Sequence, residues 1–295
     1  VTRLSLLIVS YNSAALLGPC LHSLLAQTAP DDEIVVIDNA STDGSADLVR
    51  QRYPAVRIIA NSDNKGFGAA NNQGINATTG RYVVLANPDC EVQPGSLDGY
   101  HHFLESHPRA AVAGGRLRYA DGAFQHSSFR FPTLSQVFLD LFPINWRLTE
   151  SRLNGRYPKS WDGSPFEIDH PLGAFMCVRR AATQELGMGL FDEAFFMYAE
   201  EVDWCFRLKR AGWQIWHCSD ALALHHGGRS TRQRAGEMFV QLHRSRLLFF
   251  YKHYPPWFSW AARALLRIGM EARLRKPGTR GDGEQAALCR QVMDL

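Results

Sequence analysis

Four short apolar runs in the first ninety residues each stop at a polar corner, and this recurrence constrains the fold more than any other feature of the chain. Residues 4–10 give way to Tyr11-Asn12-Ser13, residues 33–37 to Asp38, residues 56–60 to a Gly/Asn-rich segment over 64–74, and residues 81–86 to Asn87-Pro88-Asp89. Helical patterns over 15–27 and 46–53 fall between them, the second capped by Ser41-Thr42-Asp43-Gly44-Ser45. Buried strands alternating with helices form a parallel sheet, and polar corners at the carboxyl ends of the strands form its ligand edge. The expected fold class is α/β, a doubly wound, mostly parallel sheet flanked by helices. At 295 residues and 45% hydrophobic content the chain is long enough for a large core, as one domain or as one plus an appendage.

Beyond that sheet the pattern loosens. Residues 110–131 read as further strands and turns, and 132–169 as a long irregular aromatic region of the kind that is functional or mobile. A helix over 243–253 is broken by Tyr254-Pro255-Pro256, and a second opens at Trp257-Phe258-Ser259-Trp260 with Arg263, Arg267, Arg273 and Arg275 among apolar residues. A tryptophan-led basic amphipathic helix suits a membrane interface, or packs on the core or on a second subunit of a homodimer. From Lys276 the chain is polar and expected to be mobile. The division expected is 1–240 for the catalytic domain and 241–295 for a helical extension. The six cysteines are scattered without metal-ligand spacing, no apolar run spans a bilayer, and no secretory signal opens the chain. Free thiols and a cytoplasmic location are the expectation, with nucleic acid absent from the partners.

The chemistry-bearing residues gather at the strand corners and in one acidic turn. Asp38 either closes an Asx turn or accepts from a nucleobase imide or a ribose hydroxyl. Asn39 and Ser41 to Asp43 serve the turn and the helix cap. The segment Asn64-Lys65-Gly66-Phe67-Gly68-Ala69-Ala70-Asn71 is neither a dinucleotide fingerprint nor a P-loop, although glycine permits close backbone approach and Lys65 is placed to meet phosphate or solvent. Asp89 reads as a proline-turn residue or as the single carboxylate holding a Mg²⁺ or Mn²⁺ shared with diphosphate oxygens; its pairing with Asp38 on another strand favours the metal. His225, after an apolar run, is a packed core residue or a further Mn²⁺ ligand, and Arg229 a phosphate contact or a surface charge. In FFMYAEEVDWCFRLKRAGW, residues 195–213, the acids Glu200, Glu201 and Asp203 start a helix in apolar surroundings, where partial desolvation raises basicity. Asp203 stands four residues before Arg207 and is read as an ion pair.

Taken together these pieces resemble the inverting glycosyltransferases of family 2 with the GT-A fold, in the bacterial rhamnosyltransferase-like branch. The matching segments are residues 9–12, 36–45, 64–72 and 87–89, the Gly173-Ala174 turn, and residues 196–207 and 225–230, in family order. The resemblance implies that Asp38 binds a uracil or thymine base, and that Ser10, Tyr11, Asn12, Asn64, Lys65, Gly66, Asn71 and Asn87 belong to the nucleotide pocket. It places Asp89 as the last acid of a D-x-D motif whose first acid is here Asn87, with His225 as a metal ligand and His226 as its fallback. Glu201 stands where the catalytic base is expected, while Gly173, Glu200 and Arg229 fall on the acceptor side or behind the reacting groups. The donor implied is a dTDP or UDP sugar, with dTDP-rhamnose leading, and the acceptor a glycan or lipid-linked glycan at the inner face of the membrane. A sugar nucleotidyltransferase is the first rival, but Ser10-Tyr11-Asn12-Ser13 lacks its Gly-rich basic loop. A catalytically silent nucleotide-sugar-binding module is the second.

Overall fold

The structure, a computed structural model, describes residues 2–185, 190–227, 235–276 and 282–295. Twelve strands run in chain order as β1 (Leu4–Ser10), β2 (Glu33–Asp38), β3 (Arg57–Ala60), β4 (Tyr82–Ala86), β5 (Cys90–Val92), β6 (Ala110–Arg118), β7 (Phe124–Gln125), β8 (Ser128–Phe129), β9 (Phe166–Glu167), β10 (His170–Pro171), β11 (Phe175–Arg179) and β12 (Gln214–His225). The main sheet has the order β3-β2-β1-β4-β11-β6-β12-β5. Its first half is the parallel sheet that the apolar runs dictate, with Ser10 level with Asp38 at the ends of β1 and β2. The second half is mixed: β11 lies antiparallel to both β4 and β6, while β12 runs parallel to β6.

Helices cover both faces, as a doubly wound sheet requires. On one face Leu17, Leu21, Val49, Leu97 and Tyr100 pack under the sheet; on the other Ala70, Ile75, Trp204, Cys205 and Leu208 do so. A third cluster joins Val137, Phe195 and Val202 to the C-terminal helices through Phe249, Phe250, Phe258, Leu266 and Cys289.

Three expectations change here. The region 132–169 carries helices Leu134–Leu141 and Trp146–Thr149 and two 3-10 turns, and the first helix seats Leu141 against Gly269 of the helix Pro256–Leu274. The helix foreseen from residue 243 spans Ala235–His253, so the division between 240 and 241 falls inside one element. The polar tail includes the helix Gly283–Met293, capped by Asp282 and buried through Ala286, Cys289 and Val292, because its apolar residues recur on one face. The six cysteines are free and buried, as expected.

Candidate active site

The carboxyl ends of β1, β2 and β4 open onto a cleft whose far wall is the start of the helix Glu200–Arg210. Tyr11, Asn64, Asn87, Asp89, Gly173, Glu200, Glu201 and His225 line it, together with Phe196, Met197, Tyr198 and Met238.

Beneath one end lie two buried polar atoms with no hydrogen-bond partner among the described residues, Ser10 Oγ and Asp38 Oδ1. The other Asp38 oxygen accepts from the Ser41 N–H at 3.0 Å. One oxygen therefore closes the Asx turn and the other has no partner among the described residues. A buried unpaired acceptor costs about 1–3 kcal/mol unless something bonds to it.

Asn39 is a hub that the sequence reading assigned only to the turn. Its side chain donates to Asn64 Oδ1 at 2.8 Å and to the Gly66 carbonyl at 3.2 Å, and accepts from Asn61 Nδ2 and the Lys65 N–H. The Gly-rich loop is thus pinned to the end of β2. At Gly66 φ is +84° and a Cβ would run into the Phe196 carbonyl, to which Phe67 N–H donates at 2.9 Å. Only glycine tolerates both conditions.

Six residues of the expected nucleotide pocket do not line the cleft: Ser10 and Asp38, buried as described, and Asn12, Lys65, Gly66 and Asn71. Asn12, at φ +48°, accepts from Thr42 N–H at 2.8 Å and ties the loop after β1 to the loop after β2. The Lys65 side chain is exposed to solvent. Gly66 is buried against Phe196, and Asn71 is buried with its amide donating to the Phe67 carbonyl of its own helix at 3.0 Å. Asn71 thus engages one of its two amide hydrogens within the turn it belongs to and does not line the cleft. Arg229 lies outside the described residues.

At the cleft floor His225 Nε2 faces Asp89 Oδ1 at 3.4 Å, both groups buried. The Gln125 carboxamide holds Nδ1 at 3.0–3.1 Å. When Gln125 Oε1 accepts from Nδ1–H, the Nε2 lone pair points to the Asp89 side, which is how a ligating imidazole is oriented. His226 turns away and meets Glu91 at 2.7 Å, which separates the two adjacent histidines. Cys90 lies within reach of the same atoms. Burial, then the neighbouring Asp89 charge, raises its thiol well above the ordinary range, and it donates to the Ala174 carbonyl at 3.3 Å. A carboxylate and an imidazole with the thiol kept protonated suit Mn²⁺ or Mg²⁺ rather than a soft metal.

Opposite this pair stand the two glutamates. Glu200 is buried with Oε2 unpartnered among the described residues, and burial followed by the Glu201 charge raises its carboxyl well above the usual range. Glu201, half-buried on the cleft wall, is pushed by burial up to about 7, and a Cβ at Gly173 would come within 3.8 Å of its carboxyl carbon. Their own amides at the helix start favour the charged form but do not outweigh desolvation. Tyr198 and Ala199, at φ +68° and +65°, lead the chain into this helix. Consecutive left-handed non-glycine residues cost about 1–3 kcal/mol each and persist where their surroundings over-determine them.

Asp203 points elsewhere. It is fully buried and bonded to Arg207 Nε at 2.8 Å, Lys252 Nζ at 2.5 Å and His253 Nε2 at 2.7 Å. Its ion-pair assignment accords with this geometry, with Lys252 and His253 as two partners beyond the one the helix spacing indicates.

The sequence profile described as glycosyl transferase family 2 matches residues 5–187. Over 282 residues the chain is 31% identical to the N-acetylglucosaminyl-diphospho-decaprenol L-rhamnosyltransferase of Mycobacterium tuberculosis, covering 90% of this chain and 89% of that protein. It is 25% identical over 228 residues to the low-salt glycan biosynthesis hexosyltransferase Agl10 of Haloferax volcanii, with 75% of this chain and 66% of that protein covered. Among solved structures, the mannosyltransferase PcManGT from Pyrobaculum calidifontis, in complex with GDP-Man and Mn²⁺, superposes with a TM-score of 0.59 at 17% identity, covering 98% of this chain and 85% of that one. The S. aureus TarS fragment 1–349 in complex with UDP-GlcNAc gives 0.54 at 16% identity, covering 99% and 90%. These two likenesses are in fold, the GT-A arrangement of a mixed sheet between helices.

Proposed function

Because the chain belongs to glycosyl transferase family 2, we propose that it transfers a sugar with inversion from a nucleoside diphosphate donor to a lipid-linked glycan acceptor, with Glu201 as the general base. The observation that carries this reading is the Glu201 carboxyl, raised to about 7 on the wall of a cleft whose floor holds the Asp89–His225 pair. A base poised near neutrality takes the acceptor hydroxyl proton most effectively.

Ser10 Oγ and Asp38 Oδ1, buried and unpartnered, are suited to donate to and accept from the base or ribose. Asp89 and His225 would hold a divalent cation, which supplies charge neutralisation at the departing diphosphate. Glu201 removes the proton from the acceptor oxygen as that oxygen attacks the anomeric carbon from the face opposite the leaving group. Glu200, kept protonated by burial, presents a hydrogen-bond donor beside it. The apolar surround of Phe196, Met197, Leu172 and Met238 limits water at the reacting centre.

The relative's name supports L-rhamnose as the sugar and a diphosphate-linked N-acetylglucosaminyl polyprenol as the acceptor class. Such an acceptor requires the enzyme at a bilayer surface. Among the described residues no helix is long and apolar enough to cross a membrane. The helix Pro256–Leu274 buries Phe258, Ala262, Leu266 and Met270 against the protein, and exposes Trp257 (63%) and Trp260 (75%), with Arg267 also on its open side. Peripheral contact at the cytoplasmic face is consistent with that division.

The test is thermal stabilisation by dTDP, UDP and GDP with and without Mn²⁺, followed by transfer from the best donor sugar to an N-acetylglucosaminyl-diphosphate polyprenol. A Mn²⁺-dependent shift with dTDP or UDP and turnover on that acceptor is the expected result. No shift with any nucleotide overturns the reading, and a nucleotide shift without turnover overturns it in favour of a silent binding module.

A further inference from the structure

The loop that delivers Glu201 is held at four points, and three of them come from one helix that follows the sheet, Ala235–His253. Upstream, Asp192 Oδ2 bonds Lys252 Nζ at 2.5 Å, and the Lys252 ammonium lies 5.0 Å from the centre of the Phe195 ring. Next, the Phe196 carbonyl accepts from Phe67 N–H at 2.9 Å. The adjacent Met197 carbonyl accepts from Ser245 Oγ at 2.7 Å, and Ser245 is itself oriented by Gln241 Nε2 at 3.0 Å. Downstream, Asp203 Oδ1 accepts from both Lys252 Nζ and His253 Nε2. Between these anchors lie the left-handed residues Tyr198 and Ala199, and directly after them Glu200 and Glu201.

We propose that Ser245, Lys252 and His253 are positioning residues for the acceptor base, so that the helix Ala235–His253 is a working part of the active site. The inference rests on the reading of Glu201 as that base. The physical argument is one of strain. Two successive non-glycine residues at positive φ relax toward extended or right-handed backbone unless the chain on either side is fixed. Lys252 alone spans the loop, bonding an acid before it and an acid after it, and Ser245 fixes the peptide immediately before Tyr198. Releasing either anchor lets the turn relax and moves the glutamate by a fraction of its reach. Displacements of that size reduce rates by up to about a hundredfold without loss of binding energy elsewhere. Among the described residues no hydrogen bond or ion pair joins Ser245 or Lys252 to Asn64 and Asp89 on the cleft's other wall.

The test compares Ser245→Ala and Lys252→Met with Lys252→Arg, which keeps a cation able to bridge two carboxylates. Each is measured for kcat with dTDP-rhamnose and the polyprenol acceptor, for affinity toward dTDP with Mn²⁺, and for cooperative thermal unfolding. The expected result is a kcat lower by about tenfold to a hundredfold in the first two variants, dTDP affinity within about twofold of wild type, and recovery of most of the rate in Lys252→Arg. The same two changes are then made in a Glu201→Gln background. There they alter the residual rate less than twofold, because a residue that acts only through Glu201 has nothing left to position. An undiminished kcat in both single variants overturns the inference, as does an equal fold-loss with and without Glu201. Full turnover by Glu201→Gln itself removes the base reading, a failure distinguishable because it appears with both anchors intact.

Discussion

His225 faces Asp89 across 3.4 Å and is held from behind by Gln125, so the cleft floor carries an oriented imidazole beside a carboxylate. Gln125 comes from the two-residue strand β7, a hundred residues away, and reaches the ring because β7 pairs with β6 next to β12. The orientation of the ring thus depends on a short edge hairpin, and its tautomer on one carboxamide.

Replacing that carboxamide should weaken the cation site without touching a ligand. Gln125→Leu is expected to lower Mn²⁺ affinity, measured by calorimetry in the presence of dTDP, by about tenfold to a hundredfold. His226→Ala, whose ring pairs with Glu91 instead, should leave that affinity within about twofold. Equal losses in the two variants would mean that both histidines serve the ion.

The glutamate pair predicts both a rate profile and a stability profile. With Glu201 near 7, kcat should rise as pH increases through about 7 and then level, and Glu201→Gln should lower it by about a hundredfold or more while dTDP affinity holds. A flat profile between about pH 5.5 and 8.5 would exclude Glu201 as the titrating base. For stability the sign is opposite to that of a salt-bridged acid. Both carboxyls are raised in the folded state, so their contribution is fully present below the unfolded carboxylate range and is lost as pH rises through the folded value. Glu200→Gln should therefore raise the melting temperature at pH 8 by more than it does at pH 5.

Asp203 has the reverse dependence. Burial alone would raise it, but hydrogen bonds from His253, Lys252 and Arg207 together bring it down to about 2. Its contribution is present above the unfolded aspartate value and is lost as pH falls from about 4 toward 2. Asp203→Asn removes the buried counter-charge that Arg207 and Lys252 share and should cost about 1.5–3 kcal/mol in urea unfolding at pH 7. The difference from wild type should shrink by pH 3; a constant difference would mean that the loss is one of packing.

The parallel half of the sheet and the corner residues Asp38, Asn87 and Asp89 were legible because buried strands write themselves as unbroken apolar runs and their ends as polar turns. The mixed half was not. β11 pairs antiparallel on both sides, and only the long-range fold decides that. Glu201 was legible from its acidic turn, but Ser245 and Gln125 were not, since a serine in a helix and a glutamine in a two-residue strand carry no local signal. Asn12 and Asn71 were assigned to the nucleotide pocket from their place in a motif. The structure instead engages Asn12 with Thr42 and Asn71 with Phe67, which shows that a motif marks a neighbourhood and the hydrogen-bond partners decide the role.

Gly66 combines backbone strain with collision, where Gly95 carries only the milder left-handed strain. Gly66 and Gly95 have nearly the same φ, +84° and +83°, but a Cβ at Gly95 meets nothing within 4 Å while one at Gly66 strikes the Phe196 carbonyl and lies 2.9 Å from its ring. Gly95→Ala should therefore cost about 1 kcal/mol, the left-handed penalty alone, and leave turnover intact. Gly66, at ψ 173°, occupies a region open essentially to glycine alone, so Gly66→Ala incurs a larger strain and also drives the Gly-rich loop from the turn that carries Tyr198, Ala199 and the two glutamates, breaking the Phe67–Phe196 hydrogen bond. Its expected cost is about 2–4 kcal/mol in unfolding, with a kcat loss exceeding tenfold although no group in contact with substrate has changed. If Gly66→Ala and Gly95→Ala proved equal in both stability and rate, the contact between the Gly-rich loop and the acidic turn would have no part in setting the site.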